Sequence, residues 1–329
     1  MLSGPAFIRD RPRGDTLCRV DVLSDVITVM RTGQPRSARV GWRAPWAQEF
    51  AAVPGAAGFQ VVLQGACWLV RPGAAPLALA PGDVVFRPHG GGHTLADSPT
   101  TAPAAPACDP SDPRAERRYA DDPVDDPTTV TLCGGYQLDA ARAHPLLHDL
   151  PDLIHLPAHL GRHPALRSTV DLLAAELARP GLGTDAIVPA LLDTLLLHIL
   201  RAWLDGRSAR AARTGWAAAL TDPPTTAALQ AMHRDPARPW TVASLAAEAG
   251  LSRAPFARRF AALVGQPPLA YLTWWRMTTA ALLLTGSDAP LRAVAAEVGY
   301  GSEFAFAAAF KRRYGVAPGR YRRARQPAA

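Results

Sequence analysis

Two stretches near the C-terminal end of the chain repeat one pattern. LAAEAGLSRAPFARRFAALVGQPPLAYL begins at Leu245 and VAAEVGYGSEFAFAAAFKRRYGVAPGRY at Val294. Ala246 and Gly250 recur as Ala295 and Gly299, 49 residues on. Phe260, Gly265, Pro268 and Tyr271 recur as Phe310, Gly315, Pro318 and Tyr321, 50 residues on. Self-similarity at a fixed spacing means one supersecondary unit used twice. The unit reads as a helix-turn-helix. Each small Ala stands where two helices cross, and each Gly four residues later supplies the positive φ of the turn. Ser252 is placed to N-cap the helix after the first turn, with its oxygen on the N–H of Ala254, because Pro255 has none. Phe256 and Phe260 are spaced i, i+4 and face a core, which leaves Ala257 and Arg258 on other faces.

The charge of the chain is concentrated around this repeat. From Trp240 onward there are 12 Lys+Arg and 4 Asp+Glu, a net of +8, against +7 for all 329 residues, so residues 1–239 carry −1. A basic segment built of helix-turn-helix units points to nucleic acid as the partner. Alanine, proline and arginine are all abundant and Lys311 is the one lysine, so an isolated Arg carries little weight.

Upstream the pattern changes. Residues 58–97 alternate apolar runs with Gly and Pro and read as strands, and TVTLCGGYQL (129–138) resumes that character. Between them, residues 98–128 are Pro- and Asp-rich and are expected to form a mobile loop. HPALRSTVDLLAAELA and DAIVPALLDTLLLHILRAWL read as helices, the second apolar nearly all round, so it needs cover on several sides. The expected fold is α+β with two domains. Residues 1–205 form a strand-rich sensor and dimerisation domain with a helical appendage, 206–221 a polar linker, and 222–325 an all-α double helix-turn-helix. No run of about 18 or more residues is free of charge and turn formers in the way a membrane span requires, and MLSGPAFIRDRPRGD has no apolar core of a signal peptide. Four scattered cysteines exclude a disulfide framework, and a cytoplasmic protein is expected.

With the motif FKRRYGVAPGRYRR closing the second unit, residues 222–325 resemble the DNA-binding domain of AraC/XylS-family transcriptional regulators. In that family two helix-turn-helix units are joined by a long helix, here LAYLTWWRMTTAALLL, and their recognition helices enter successive major grooves. The resemblance implies that the first recognition helix offers Arg253, Ala254, Ala257 and Arg258 to double-stranded DNA. It implies that the second offers Ser302, Glu303, Ala307 and Ala308. Arg258 is the expected base reader, because a guanidinium pairs bidentately with guanine. The family often has Arg where Ala308 stands, so the second unit is expected to rely on Lys311, Arg312 and Arg313 at phosphates.

The N-terminal half resembles the cupin-type sensor domains of one branch of these regulators, through VVLQGACWLV, PGDVVFRPHGGGHTLAD and TLCGGYQLDAARAHPLL. The second of these has cupin spacing at Gly82, Pro88, Gly90 and His93, with Asp97 where Asn is usual. The resemblance implies a β-barrel. It does not supply a complete cupin metal site, because the upstream His-x-His is missing and His89 is the first histidine in the chain. Cys67, His93 and Cys133 all lie on strands or strand ends that could converge, and two thiolates with an imidazole suit zinc. His144, His148, His155, His159 and His163 are expected to pack or lie at the surface. His89 is expected to matter little.

The expected function is sequence-specific transcription regulation, without catalysis, responsive to a small-molecule effector in the cupin-like domain. A homodimer through the apolar helix at Leu191–Leu204 is expected. The competing reading, a cupin-type metalloenzyme with a basic C-terminal domain, fails on the missing histidines and leaves the repeat unexplained. A DNA-alkylation repair protein would need clustered cysteines that this chain lacks.

Overall fold

The computed structural model describes residues 21–109, 124–138, 144–158, 163–208 and 214–325. Two compact units emerge, one of residues 30–209 and one that joins residues 210–329 to the described part of residues 1–29.

The first unit is built on two antiparallel sheets. β1 (Arg31–Trp42), β3 (Ala56–Gln64), β6 (Val84–Arg87), β8 (Thr129–Leu138) and β9 (Ile154–Leu156) form one, in the order β1-β8-β3-β6-β9. β2 (Ala47–Phe50), β4 (Cys67–Val70), β5 (Leu77–Leu79) and β7 (His93–Ala96) form the other, in the order β2-β7-β4-β5. Val62 and Val85 of the first sheet pack with Trp46, Phe50, Cys67, Leu69, Leu79 and Leu95 around the second, so the sheets close on a shared apolar interior. Alternation of side chains along each strand puts one row inward and one outward. The strands over 58–97 and 129–138 fall where the apolar runs place them; β1 and β2 have no comparable run. The cupin loop turns as its glycines require. Gly90 has φ +63°, and a Cβ there would lie 2.1 Å from the Val53 carbonyl oxygen.

The helices α2 (Pro145–His148), α3 (Pro164–Ala178) and α4 (Thr184–Ser208) complete this unit. Buried Leu192, Leu195, Leu196, Ile199 and Leu200 set α4 into its own domain, and Tyr136 donates to the Leu192 carbonyl at 2.6 Å. This covers much of the apolar surface that a dimer contact was expected to cover. His144 is buried and accepts from the Leu146 N–H, and His155 Nε2 lies 3.0 Å from Asp83 Oδ2, so both serve packing as expected. His159 lies outside the described residues. The loop expected to be mobile over 98–128 is pinned at its start. Cys108 exchanges backbone hydrogen bonds with Glu49 and Ala51, because the edge strand β2 offers unpaired groups there. Residues 110–123 lie outside the described residues.

The second unit is helical. α1 (Val22–Met30) belongs to it rather than to the sheets, a correction to the expected 1–205 domain. The helix buries Val22, Leu23, Val26 and Ile27, and Asp25 Oδ2 lies 3.3 Å from His233 Nδ1. The expected linker 206–221 is also corrected. It contains α5 (Gly215–Thr221), a helix because Trp216, Ala217, Ala218 and Ala219 are all buried. α6 (Pro223–Arg234), α7 (Val242–Glu248) and α8 (Arg253–Val264) make the first helix-turn-helix region, and α9 (Pro268–Gly286) is the joining helix. α10 (Leu291–Glu297), α11 (Glu303–Tyr314) and α12 (Pro318–Arg325) repeat the arrangement.

Candidate nucleic-acid interface

Each helix-turn-helix is assembled by the residues that recur. Ala246 and Ala295 are buried at the helix crossings. Gly250 and Gly299 hold φ of +65° and +80°. The next residue closes both turns alike: the Leu251 N–H donates to Ala246 at 2.9 Å and the Tyr300 N–H to Ala295 at 2.8 Å. The tilted rings of Phe256 and Phe260 lie 5.6 Å apart, and those of Phe306 and Phe310 5.7 Å apart. Tyr271 and Tyr321 each set a ring edge against the second Phe of their unit. These contacts fix the rotation of α8 and α11, and so which residues face outward.

On α8 the outward residues are Arg253, Ala254 and Arg258, all exposed, with Ala257 half-buried. Arg258 forms no ion pair among the described residues. Its neighbour Arg259 does: the Nε lies 3.0 Å from both carboxylate oxygens of Asp222, and Nη2 also donates to Oδ1. Asp222 in turn caps α6 by accepting from the Thr225 N–H at 3.1 Å. The Arg259 guanidinium holds the Asp222 carboxyl below its usual range, with the Thr225 bonds helping against burial. Arg259 is thus a tether of the first unit, 37 residues from its partner in sequence, a spacing no local pattern reveals. The expected bond from Ser252 to Ala254 is absent: Ser252 N-caps α8 without a side-chain cap bond. A cap oxygen reaches N2 or N3, and Pro255 removes the N3 donor.

On α11 the outward residues are Ser302, Glu303, Phe304 and Ala308, exposed, with Ala307 half-buried. Ser302 accepts from the Ala305 N–H at 3.5 Å, where the first unit has proline. Glu303 sits in the first turn, where a negative charge suits the helix dipole. Lys311, Arg312 and Arg313 form an exposed basic last turn. Phe304 was not singled out from sequence, yet at 89% exposure it is the most exposed aromatic side chain described. Its spacing was the available signal. It is two residues from Phe306, and an i, i+2 pair does not share a helix face.

The three residues considered for metal are all on the sheets of the first unit. Cys67 is buried on β4, His93 is buried on β7 and stacks on Phe50 at 4.7 Å, and Cys133 Sγ lies 3.5 Å from Thr131 Oγ1. The structure does not bring them together as ligands: no three His, Cys, Asp or Glu among the described residues could hold a metal ion. Burial pushes the thiols of Cys67 and Cys133 up to about 12, each helped by a neighbouring cysteine. His89, as expected, has a local role, its Nε2 lying 3.0 Å from the Leu150 carbonyl oxygen.

Comparison with known proteins gives a consistent result. Residues 21–205 match the Cupin family and residues 245–324 the Helix-turn-helix domain family. A putative AraC-like transcription regulator from Streptomyces lividans is 38% identical over 309 residues, 92% of this chain and 98% of that protein. A second, from Streptomyces antibioticus, is 38% identical over 316 residues, 94% of this chain and all of its own length. Among solved structures, the DNA-binding domain of AdpA in complex with a target DNA is 36% identical, covering 33% of this chain and 99% of that one, with a TM-score of 0.31.

Proposed function

The chain belongs to the AraC-like transcription regulators and binds DNA, and from that premise we propose how its two units divide the reading of a promoter. The first unit reads bases by hydrogen bonding. Arg253 and Arg258 project from α8 into a major groove, Arg258 pairing with guanine O6 and N7, while Ala254 and Ala257 allow close approach. The second unit positions more than it reads. Lys311, Arg312 and Arg313 bind phosphates, Ser302 lies at the groove edge, Glu303 tolerates only a base edge that donates, and Ala307 and Ala308 give no polar contact. Phe304 contributes apolar contact with a thymine methyl group. The observation that supports this division is the exposed, unpaired Arg258 beside an Arg259 held by Asp222.

The cupin domain is read as the sensor of a small molecule, without catalysis, in a cytoplasmic homodimer. The exposed Ile187 and the partly exposed Leu191, Leu197 and Leu204 of α4 are the surface left for a second copy. Sedimentation of the full chain tests the dimer. The DNA reading is tested by titrating the full chain onto duplex from the region upstream of its own gene. Affinity falls steeply with salt, each neutralised phosphate contributing a slope of about −0.9 in log K against log salt. Absence of duplex binding at about 50 mM salt, where that term is strong, sinks the reading.

A further inference from the structure

One cation in the sheet domain is buried without an anion. Arg87 is 7% exposed, and it makes no ion pair among the described residues. Its Nη1 donates to the Gly91 carbonyl, and its Nε has no partner. Strand register shows which way it points. Arg87 pairs with Gly58 across β3–β6, two residues from Val85 on the same inward row. Gly58 pairs in turn with Gly135 of β8, so neither neighbour raises a side chain beside the guanidinium. The guanidinium takes up the space a side chain on Gly58 would use: a Cβ there would lie 2.6 Å from Arg87 Nη2.

Further polar atoms share this interior. Gln60, 3% exposed and on the same row as Gly58, leaves Oε1 unpaired. His93, 3% exposed, faces inward from the opposite sheet, in register with Phe50 and two residues from Leu95. Neither His93 ring nitrogen has a partner, although a neutral imidazole offers one donor and one acceptor. Burial, then the Arg87 charge, keeps this ring neutral. Burial lowers the Arg87 guanidinium to about 10, still charged at neutral pH, and the acid acting on it is the Cys133 thiol, which is protonated. An uncompensated buried cation costs several kcal/mol, and unpaired buried donors add to it. A chain that keeps all three with unpartnered atoms in one interior has a use for them.

We propose that Arg87, with His93 and Gln60, anchors an effector site between the two sheets for a small organic carboxylate carrying an apolar body. The guanidinium fork matches the two oxygens of a carboxylate. His93 adds a donor, and Gln60, whose unpaired atom is an acceptor, meets the ligand with its NH2 once its amide is reversed. Trp46, Phe50 and Leu95 of the facing sheet supply the apolar wall. This rests on the reading of the cupin domain as a sensor, and it names what that domain senses.

The test is thermal melting and calorimetric titration of the full chain with formate, acetate, hexanoate and benzoate at constant ionic strength. Benzamide serves as the neutral control, and phosphate and sulfate as inorganic oxyanions. A saturable shift is expected with benzoate or hexanoate, at least tenfold weaker with acetate, and none with benzamide. Arg87→Met is expected to weaken carboxylate binding at least tenfold while melting no lower than the unliganded parent. Arg87→Lys keeps the charge without the fork and is expected to weaken binding several-fold, so the test survives if the Met variant fails to fold. The proposal is overturned if no carboxylate saturates, if phosphate or sulfate saturates instead, or if both Arg87 variants bind like the parent. Duplex binding by the same samples separates the two readings. Intact DNA binding without carboxylate binding sinks this inference alone, whereas loss of duplex binding by the parent sinks the regulator reading beneath it.

Discussion

The two helix-turn-helix units share their large buried rings and differ at most outward positions of α8 and α11. Ala246, Gly250, Phe256, Phe260 and Tyr271 have their counterparts in Ala295, Gly299, Phe306, Phe310 and Tyr321, with matching turns and ring contacts. Arg258 has Ala308 and Ala254 has Phe304 at the matching exposed positions, while the exposed Arg259 has the buried Ala309. Close packing punishes drift inside the repeat, because a change of one methylene is felt there. Outside it, each position is free to take on a separate task. The first unit has used that freedom for a base reader and a tether, the second for an apolar contact and a basic last turn.

The comparison is broken most severely from within. Phe260→Ala and Phe310→Ala each remove a fully buried ring, and each is expected to cost about 3–5 kcal/mol in denaturant unfolding. Costs that differ by more than about 2 kcal/mol would contradict the equivalence of the two scaffolds, since they exceed the ordinary spread at fixed chemistry. On the exposed side the expectation is asymmetric. Arg258→Ala lowers specific DNA affinity by about 1–3 kcal/mol and relaxes preference at one base position, while Ala308→Ser changes little. Competition titrations against single-base variants of the bound site read both effects. Equal losses would place the readers wrongly.

The tether gives the first unit a pH dependence of its own. Asp222 is held below its ordinary value, so its stabilisation is complete above about 3.8 and is lost as pH falls from there through the lower folded value. Asp222→Asn is expected to melt lower than the parent at neutral pH, with the gap closing at more acid pH. A gap that stays constant with pH would show that the Arg259 contact carries no charge-dependent stability. The smallest difference lies at the caps. Ser302→Ala is expected to cost about 0.5 kcal/mol through its long bond to Ala305, and Ser252→Ala nothing measurable. Equal melting shifts would mean that Ser252 caps α8 after all.

What was legible in the sequence was periodic or repeated. The paired Phe residues and the turn glycines stood out because helical spacing and the 50-residue offset both mark them. The strands over 58–97 stood out as apolar runs bounded by Gly and Pro. The misses were contacts between residues far apart in the chain or elements with weak composition. DGRSARAARTGWAA reads as linker because it is polar and Ala-rich, yet Trp216 within it is buried, and a lone Trp there was the signal to weigh. Arg259 was recognisable as a charged residue but not as the partner of Asp222. The metal reading of Cys67, His93 and Cys133 assumed that inward-facing donors meet. Among the described residues they form no group of three donors that could hold a metal ion.

One feature of the second unit bears on how the protein comes to be folded at all. Asp25 and His233 meet across 208 residues, so α1 is made long before the helices it packs against. During synthesis from the N-terminus, Val22, Leu23, Val26 and Ile27 wait exposed while the whole sheet domain is translated. The DNA-binding half is therefore a discontinuous folding unit, closed by one of the longest-range contacts in the chain, and its completion belongs to the slow, non-local class of folding events. A protein cut between the sheet domain and α5 would release a DNA-binding half that lacks its first helix, so a C-terminal fragment is not a neutral stand-in for the whole.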